Sequence, residues 1–231
     1  AALVPTVFSS ASSAVSTRFG DWDGANTTAW VRVVDGVLTE TKSGNTDTVA
    51  TGDIVTVGDY TGIQFDGVTE YSSFAATADY FSGITTKGTV DVVARIDTFA
   101  TGDIIAGIAS HKDMTDSADS FVARMGGSGD NFYGGFRIGA GTPQTQGGAI
   151  VAASTYHLRV AFDTTSGLHK VRLFVDDMSS HVAEITPTLD ASIVNAGTTA
   201  LTLGGTTSGG NLAAITFFEL MIRDGYHTDQ L

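Results

Sequence analysis

The sequence predicts an all-β protein, a two-sheet antiparallel jelly-roll sandwich, on three observations. Short alternating segments recur along the 231 residues, turn-forming Gly, Asp, Thr and Ser separate them, and no helical period of usable length intervenes. Twenty-eight Gly stand against only four Glu and four Lys, which removes the residues that usually fill exposed helix positions. With 42% hydrophobic content the chain is long enough to bury one substantial core, so a single domain is expected over 26–231.

Residues 1–25 cluster Ser, Thr and Ala without helical or strand periodicity, and are expected to form an extended N-terminal arm. The first hairpin follows at once. Trp30–Val34 and Val37–Thr41 flank Asp35-Gly36, a dipeptide suited to the two positive-φ positions of a type I′ turn. A nine-residue echo, DTVATGDIV from Asp47 and DTFATGDII from Asp97, reads as shared local geometry, because two copies do not make a repeat architecture. Further strands are expected over 61–65, 89–96, 104–109, 120–125, 133–138, 200–203 and 215–222. In TVDVVARID, Val90, Val92, Ala94 and Ile96 share one face and Asp91, Arg95 and Asp97 the other, the pattern of a half-buried strand with ion pairs on its wet side. The longest hairpin is YHLRVAFDTTSGLHKVRLFVDD, residues 156–177. Leu158, Val160 and Phe162 meet Val171, Leu173 and Val175 on one face, while Arg159, Lys170 and Arg172 fall on the opposite one.

A formal charge of −13, from 25 carboxylates against 12 Lys and Arg, repels a phosphate backbone and argues against nucleic acid as a partner. The absence of cysteine excludes a disulfide framework and thiolate chemistry. No apolar run approaches the length of a spanning helix, so membrane insertion by that route is not expected, and no retained signal peptide is evident.

The hairpin Tyr156–Asp163 and Val171–Asp176 resembles the W-H-x-V-A and V-x-L-Y-V-D-G pair of concanavalin A-like lectin/glucanase domains, the LamG-like jelly rolls, of the kind found in phage structural proteins. Ile63-Gln64-Phe65-Asp66-Gly67 with Tyr71 resembles that family's early strand, and Leu203-Gly204-Gly205 with 215–223 its closing one. Tyr156 stands where the family often has Trp, and Asp177 where it usually has Gly. The resemblance implies a framework role for His157.

Glucanases of that superfamily carry an E-x-D-x-x-E strand, since retaining hydrolysis needs two close carboxyls. Glu40, Glu70, Glu184 and Glu219 have no second acid at that spacing, so no catalytic residue and no enzyme is expected. The five His show no metal-ligand or nucleophile context. Calcium is the one cofactor the sequence raises: Asp113, Asp116 and Asp119 offer three carboxylates in one loop, and Asp21 to Asn26 a second oxygen-rich cluster, although Asp-rich loops also simply form turns. For sugar binding, Asp130, Asn131 and Tyr133, together with Trp30, supply aromatic faces near amide and carboxylate groups.

The functional expectation is a non-enzymatic virion structural protein, a phage capsid decoration or tail-associated protein at the virion surface. It would bind other virion proteins or copies of itself as a homo-oligomer. The alternative is an extracellular carbohydrate-binding, lectin-like module for glycan or cell-surface attachment.

Overall fold

The computed structural model describes residues 26–42, 44–46, 52–58, 60–74, 80–110, 112–126, 130–165, 170–176, 180–186, 192–193 and 199–227. The expected arm over 1–25 and the oxygen-rich cluster before Asn26 lie outside them. The strands are β1 (Thr27–Val34), β2 (Val37–Glu40), β3 (Asn45–Thr46), β4 (Asp53–Val57), β5 (Tyr60–Asp66), β6 (Ser72–Ser73), β7 (Lys87–Ile96) and β8 (Ile104–Ile108). They continue with β9 (Phe121–Met125), β10 (Asn131–Phe136), β11 (Gln144–Ala149), β12 (Ser154–Asp163), β13 (Lys170–Val175), β14 (Ala183–Ile185), β15 (Thr202–Leu203) and β16 (Ala214–Asp224).

Two antiparallel sheets pack face to face. The larger, of ten strands, runs β14-β13-β12-β7-β16-β1-β2-β3, with the β4–β5 hairpin also joined to β16; the smaller, of six, runs β11-β10-β9-β8-β15-β6. β16 holds two neighbours on one edge: Ala214–Phe217 pair with β5, and Glu219–Arg223 with β1. The register of β16 against β7 shifts between Phe217 and Glu219, a bulge that separates the two halves. The first hairpin forms as the sequence requires, with Asp35 at φ 51° and Gly36 at φ 79°. The longest hairpin has the expected register, Leu158 opposite Val175, Val160 opposite Leu173 and Phe162 opposite Val171.

The core fills the space between the sheets. Phe136 of the smaller sheet meets Phe162 of the larger at 4.5 Å between ring centroids, and Phe121 stacks behind it at 5.3 Å. Gly134 sets how closely the sheets approach there, since a Cβ at that position would fall 2.5 Å from Cγ2 of Val160. Asp66, in the IQFDG segment, organises the turn after β5 by accepting from the amides of Val68, Thr69 and Glu70. Those donors hold its carboxyl down at about 2.

β7 departs from the half-buried expectation. Thr89, Asp91 and Val93, on the face turned away from the core, are buried as thoroughly as Val90 and Val92. Gly225–His227 crosses this outer face, the Thr89 hydroxyl donating to the Gly225 carbonyl at 2.8 Å and accepting from the His227 amide at 3.0 Å. Asp91 is therefore not on a wet side: it receives Arg159 Nε at 2.7 Å, His157 Nε2 lies 2.8 Å away, and Arg223 Nη2 approaches at 2.7 Å. Arg95 does pair with Asp97, at 2.9 Å.

Candidate functional site

The sequence-derived sugar residues divide between the sheets. Asn131 and Tyr133 alternate on β10 and so share the outer face of the six-stranded sheet; Asp130 precedes them in an exposed turn at φ 48°. Trp30 lies on β1 in the other sheet, half-buried, with the Arg32 guanidinium 3.7 Å over its ring. Trp30 therefore does not join Tyr133 in one site.

Pairing registers fix what surrounds Tyr133. Gln146 of β11 stands opposite it on one side and Arg124 of β9 on the other; in the next row Gly135 is flanked by Gln144 and Val122. Directly opposed residues share a face, so Gln146, Tyr133, Arg124 and Gln144 gather on one patch. Gln146 is exposed and Tyr133 and Asn131 half-buried. The Arg124 guanidinium lies 4.2 Å from the Tyr133 ring centroid, a cation–π contact. Gln144 Oε1 accepts from Nε and Nη2 of Arg124, both at 3.3 Å, and Asp113 Oδ1 lies 3.6 Å from Nη2. Gly126 accommodates the ring: a Cβ there would sit 2.1 Å from Tyr133 Cε2. Tyr133 is thus clamped by Gly126 and Arg124 and offers a fixed ring and hydroxyl rather than a swinging side chain.

One wall of the patch is the loop carrying the calcium candidates. Met114, at φ 51°, is buried against Ile104, Ala109 and Val122 on the same outer face. Arg137 Nη1 donates to the carbonyls of Met114 at 2.9 Å and Asp116 at 2.7 Å, pinning the loop down. The three carboxylates are turned to separate tasks. Asp119 is buried and accepts from the Ser110 amide at 2.7 Å and the Asp116 amide at 3.2 Å; Asp116 accepts from the Ala118 amide at 2.9 Å; Asp113 faces Arg124. Among the described residues no three acidic, His or Cys side chains converge as a metal site. At the end of the patch the Lys112 chain lies against Gly102, beside Asn211, and burial pushes the neighbouring Asp103 carboxyl up to about 6.

Of the side chains at this patch, Arg124, Gln144 and Gln146 carried no functional reading from sequence. The available signal was Gln144-Thr145-Gln146, whose alternation places two amides on one face once a strand is recognised there. None of the four glutamates belongs to the patch: Glu40 accepts from the amides of Trp30 and Lys42, Glu70 from that of Asp66, Glu184 pairs with Arg172, and Glu219 is on the larger sheet.

No family model matches the sequence, and no curated protein matches it. Solved structures do. Domain 4 of a GH43 extracellular arabinanase from Geobacillus stearothermophilus, in complex with arabinotriose, superposes with a TM-score of 0.63 at 12% identity, over 89% of this chain and 96% of that one. The binding domain of paraclostridial mosquitocidal protein 1 gives 0.64 at 9% identity, over 87% of this chain and 49% of its own. A Trypanosoma rangeli sialidase in complex with sialic acid gives 0.60 at 13% identity, over 88% of this chain and 31% of its own. The chain thus spans about half of the mosquitocidal domain and less than a third of the sialidase. The likeness is one of fold, a β-sandwich.

Proposed function

We propose that the protein is a non-catalytic carbohydrate-binding module whose site is the Tyr133 patch. The observation that carries the reading is the clamped Tyr133 ring set beside the side-chain amides of Asn131 and Gln146 on an outer sheet face. An aromatic body lends apolar contact to a sugar ring, and amides, which both donate and accept, suit hydroxyls that do the same. One structural neighbour, matched over 96% of its own length, was solved with arabinotriose, and this supports the choice of ligand class. The virion-structural reading, the sequence's first expectation, rests on the LamG-like resemblance, the lack of cysteine and of a sorting signal, the few Lys and the arm over 1–25, which lies outside the described residues. A glycan partner puts the module's work at an extracellular or displayed surface.

A glycan array followed by titration calorimetry tests the proposal. Tyr133→Ala is expected to weaken a retained oligosaccharide by about tenfold or more, the effect of losing one aromatic anchor. Gln146→Ala should weaken it less. Retention of no oligosaccharide, or unchanged affinity in both variants, would count against this site.

A further inference from the structure

We infer that the Tyr133 patch takes neutral sugars and rejects carboxylated ones, because Gln144 and Asp113 hold Arg124 out of anion recognition; the inference rests on the carbohydrate-binding reading above. Arginine recognises a carboxylate by offering two parallel N–H groups from one edge of its guanidinium. In Arg124 the Nε and Nη2 edge is already given to Gln144 Oε1, at 3.3 Å for each nitrogen. Asp113 adds a carboxylate 3.6 Å from Nη2. The flat face of the group lies over Tyr133 at 4.2 Å, and the residue is only 9% exposed. A ligand carboxylate on that edge would have to displace Gln144, and one at the Nη1/Nη2 end would approach Asp113, a like charge.

The other cations near the patch do not compensate. Arg137 spends Nη1 on two backbone carbonyls of the 112–119 loop. Lys112 is laid along Gly102 beside Asn211. Asp113 opposes Arg124, Asp130 stands exposed just before Asn131, and the chain as a whole carries −13, a field that discourages anionic ligands before contact. The groups left to a ligand are the Tyr133 hydroxyl and the amides of Asn131 and Gln146, all able to donate and accept. That combination matches a polyol and gives a carboxylate no advantage.

The test is an array of matched pairs, each neutral oligosaccharide beside its uronate- or sialate-bearing counterpart, lactose with sialyllactose and galactotriose with trigalacturonate among them, with affinities then measured by calorimetry. The wild-type protein should prefer the neutral member of a retained pair by roughly tenfold or more. The variant Gln144→Ala/Asp113→Asn frees Arg124, and its affinity for the acidic member should rise by about tenfold while the neutral member changes less. Asp113→Asn alone, at a half-exposed side chain, should give part of that gain in a protein whose melting temperature is unchanged. Equal or tighter binding of acidic members by the wild type overturns the inference and leaves the carbohydrate reading standing. So does a folded double variant with no gain. No retained sugar of either kind brings down the carbohydrate reading itself, and this inference with it.

Discussion

Two buried carboxylates on the outer face of the ten-stranded sheet, Asp91 on β7 and Glu219 on β16, meet opposite fates. They are close neighbours in the ladder: Met221 pairs with Asp91, and Glu219 with Val93. Burial by itself would raise both. For Asp91 that cost is outweighed by Arg159, by the hydrogen bond with His157 and by Arg223, and the carboxyl is held well below the usual range. For Glu219 burial dominates. Arg32 stands opposite it across the β1–β16 ladder, but its guanidinium is stacked over Trp30, and Glu219 Oε2 finds no hydrogen-bond partner among the described residues. Its carboxyl is pushed up to about 8 despite the pull of Arg32. The difference is one of geometry rather than of burial, since both acids are enclosed: a guanidinium aimed at a carboxylate keeps it charged, and one aimed at a ring leaves it neutral near physiological pH.

The comparison is broken most forcefully at Asp91. Asp91→Asn keeps the shape and removes the buried charge toward which Arg159 and Arg223 both point; removing one partner of a buried ion pair costs about 3–5 kcal/mol. A guanidinium chloride titration should show the midpoint fall accordingly. Because folding lowers the Asp91 pKa, its contribution is present above the ordinary value of 3.8 and lost as pH falls through the folded-state value. The wild type should therefore lose stability in acid, and the Asn variant should lack that part of the slope. A variant within about 1 kcal/mol of wild type would show that the cluster is not held by charge.

Glu219 gives the next largest effect, with the reverse pH dependence. Folding raises its pKa from 4.5 to about 8, so its contribution is complete below the unfolded value and lost as pH rises through the folded one. Stability measured at pH 5, 6.5 and 8 should decline by a few kcal/mol on this account, and Asp103, also raised by burial, adds to the same trend below about 6. Glu219→Gln should flatten the decline from pH 5 to 8, with little change at pH 5. An equally steep decline in the variant would assign the slope to other groups.

The sequence foretold one side of this sheet better than the other. Alternation along TVDVVARID separates Asp91 from Val90 and Val92, and β7 does send them to opposite faces. Alternation says nothing of what lies over the second face, so Asp91 reads as wet until Arg159, His157 and Arg223 are brought to it from strands far apart in the chain. The same gap affects the Tyr133 patch. Asn131 and Tyr133 were legible because β10 is rich in aromatics, whereas β11, with Gln, Thr and Gly, has little strand propensity and its two glutamines went unread. Trp30 was grouped with them by chemistry alone, and only the sheet assignment separates them. Arg124 carries no local signal at all: its role comes from Gln144 and Asp113, which approach it from β11 and from the 112–119 loop.

The smallest effect should come from a third carboxylate on the same outer face, Glu184 of β14, which pairs with Arg172 of β13 in direct cross-strand register. Lys170 and His181 also lie 3.9 Å from its Oε2. It thus has as many basic neighbours as Asp91 and a carboxyl lowered chiefly by the Arg172 hydrogen bond. The difference is water: the Glu184 side chain is 27% exposed, against 0% for Asp91. Exposed pairs are screened and typically contribute about 0–1 kcal/mol. Glu184→Gln should therefore shift the denaturation midpoint only slightly, and the shift should shrink further at about 1 M salt, where charges are screened within a few ångströms. If Glu184→Gln cost as much as Asp91→Asn, the number of basic groups around a carboxylate, rather than its removal from water, would be what sets its worth in this sheet.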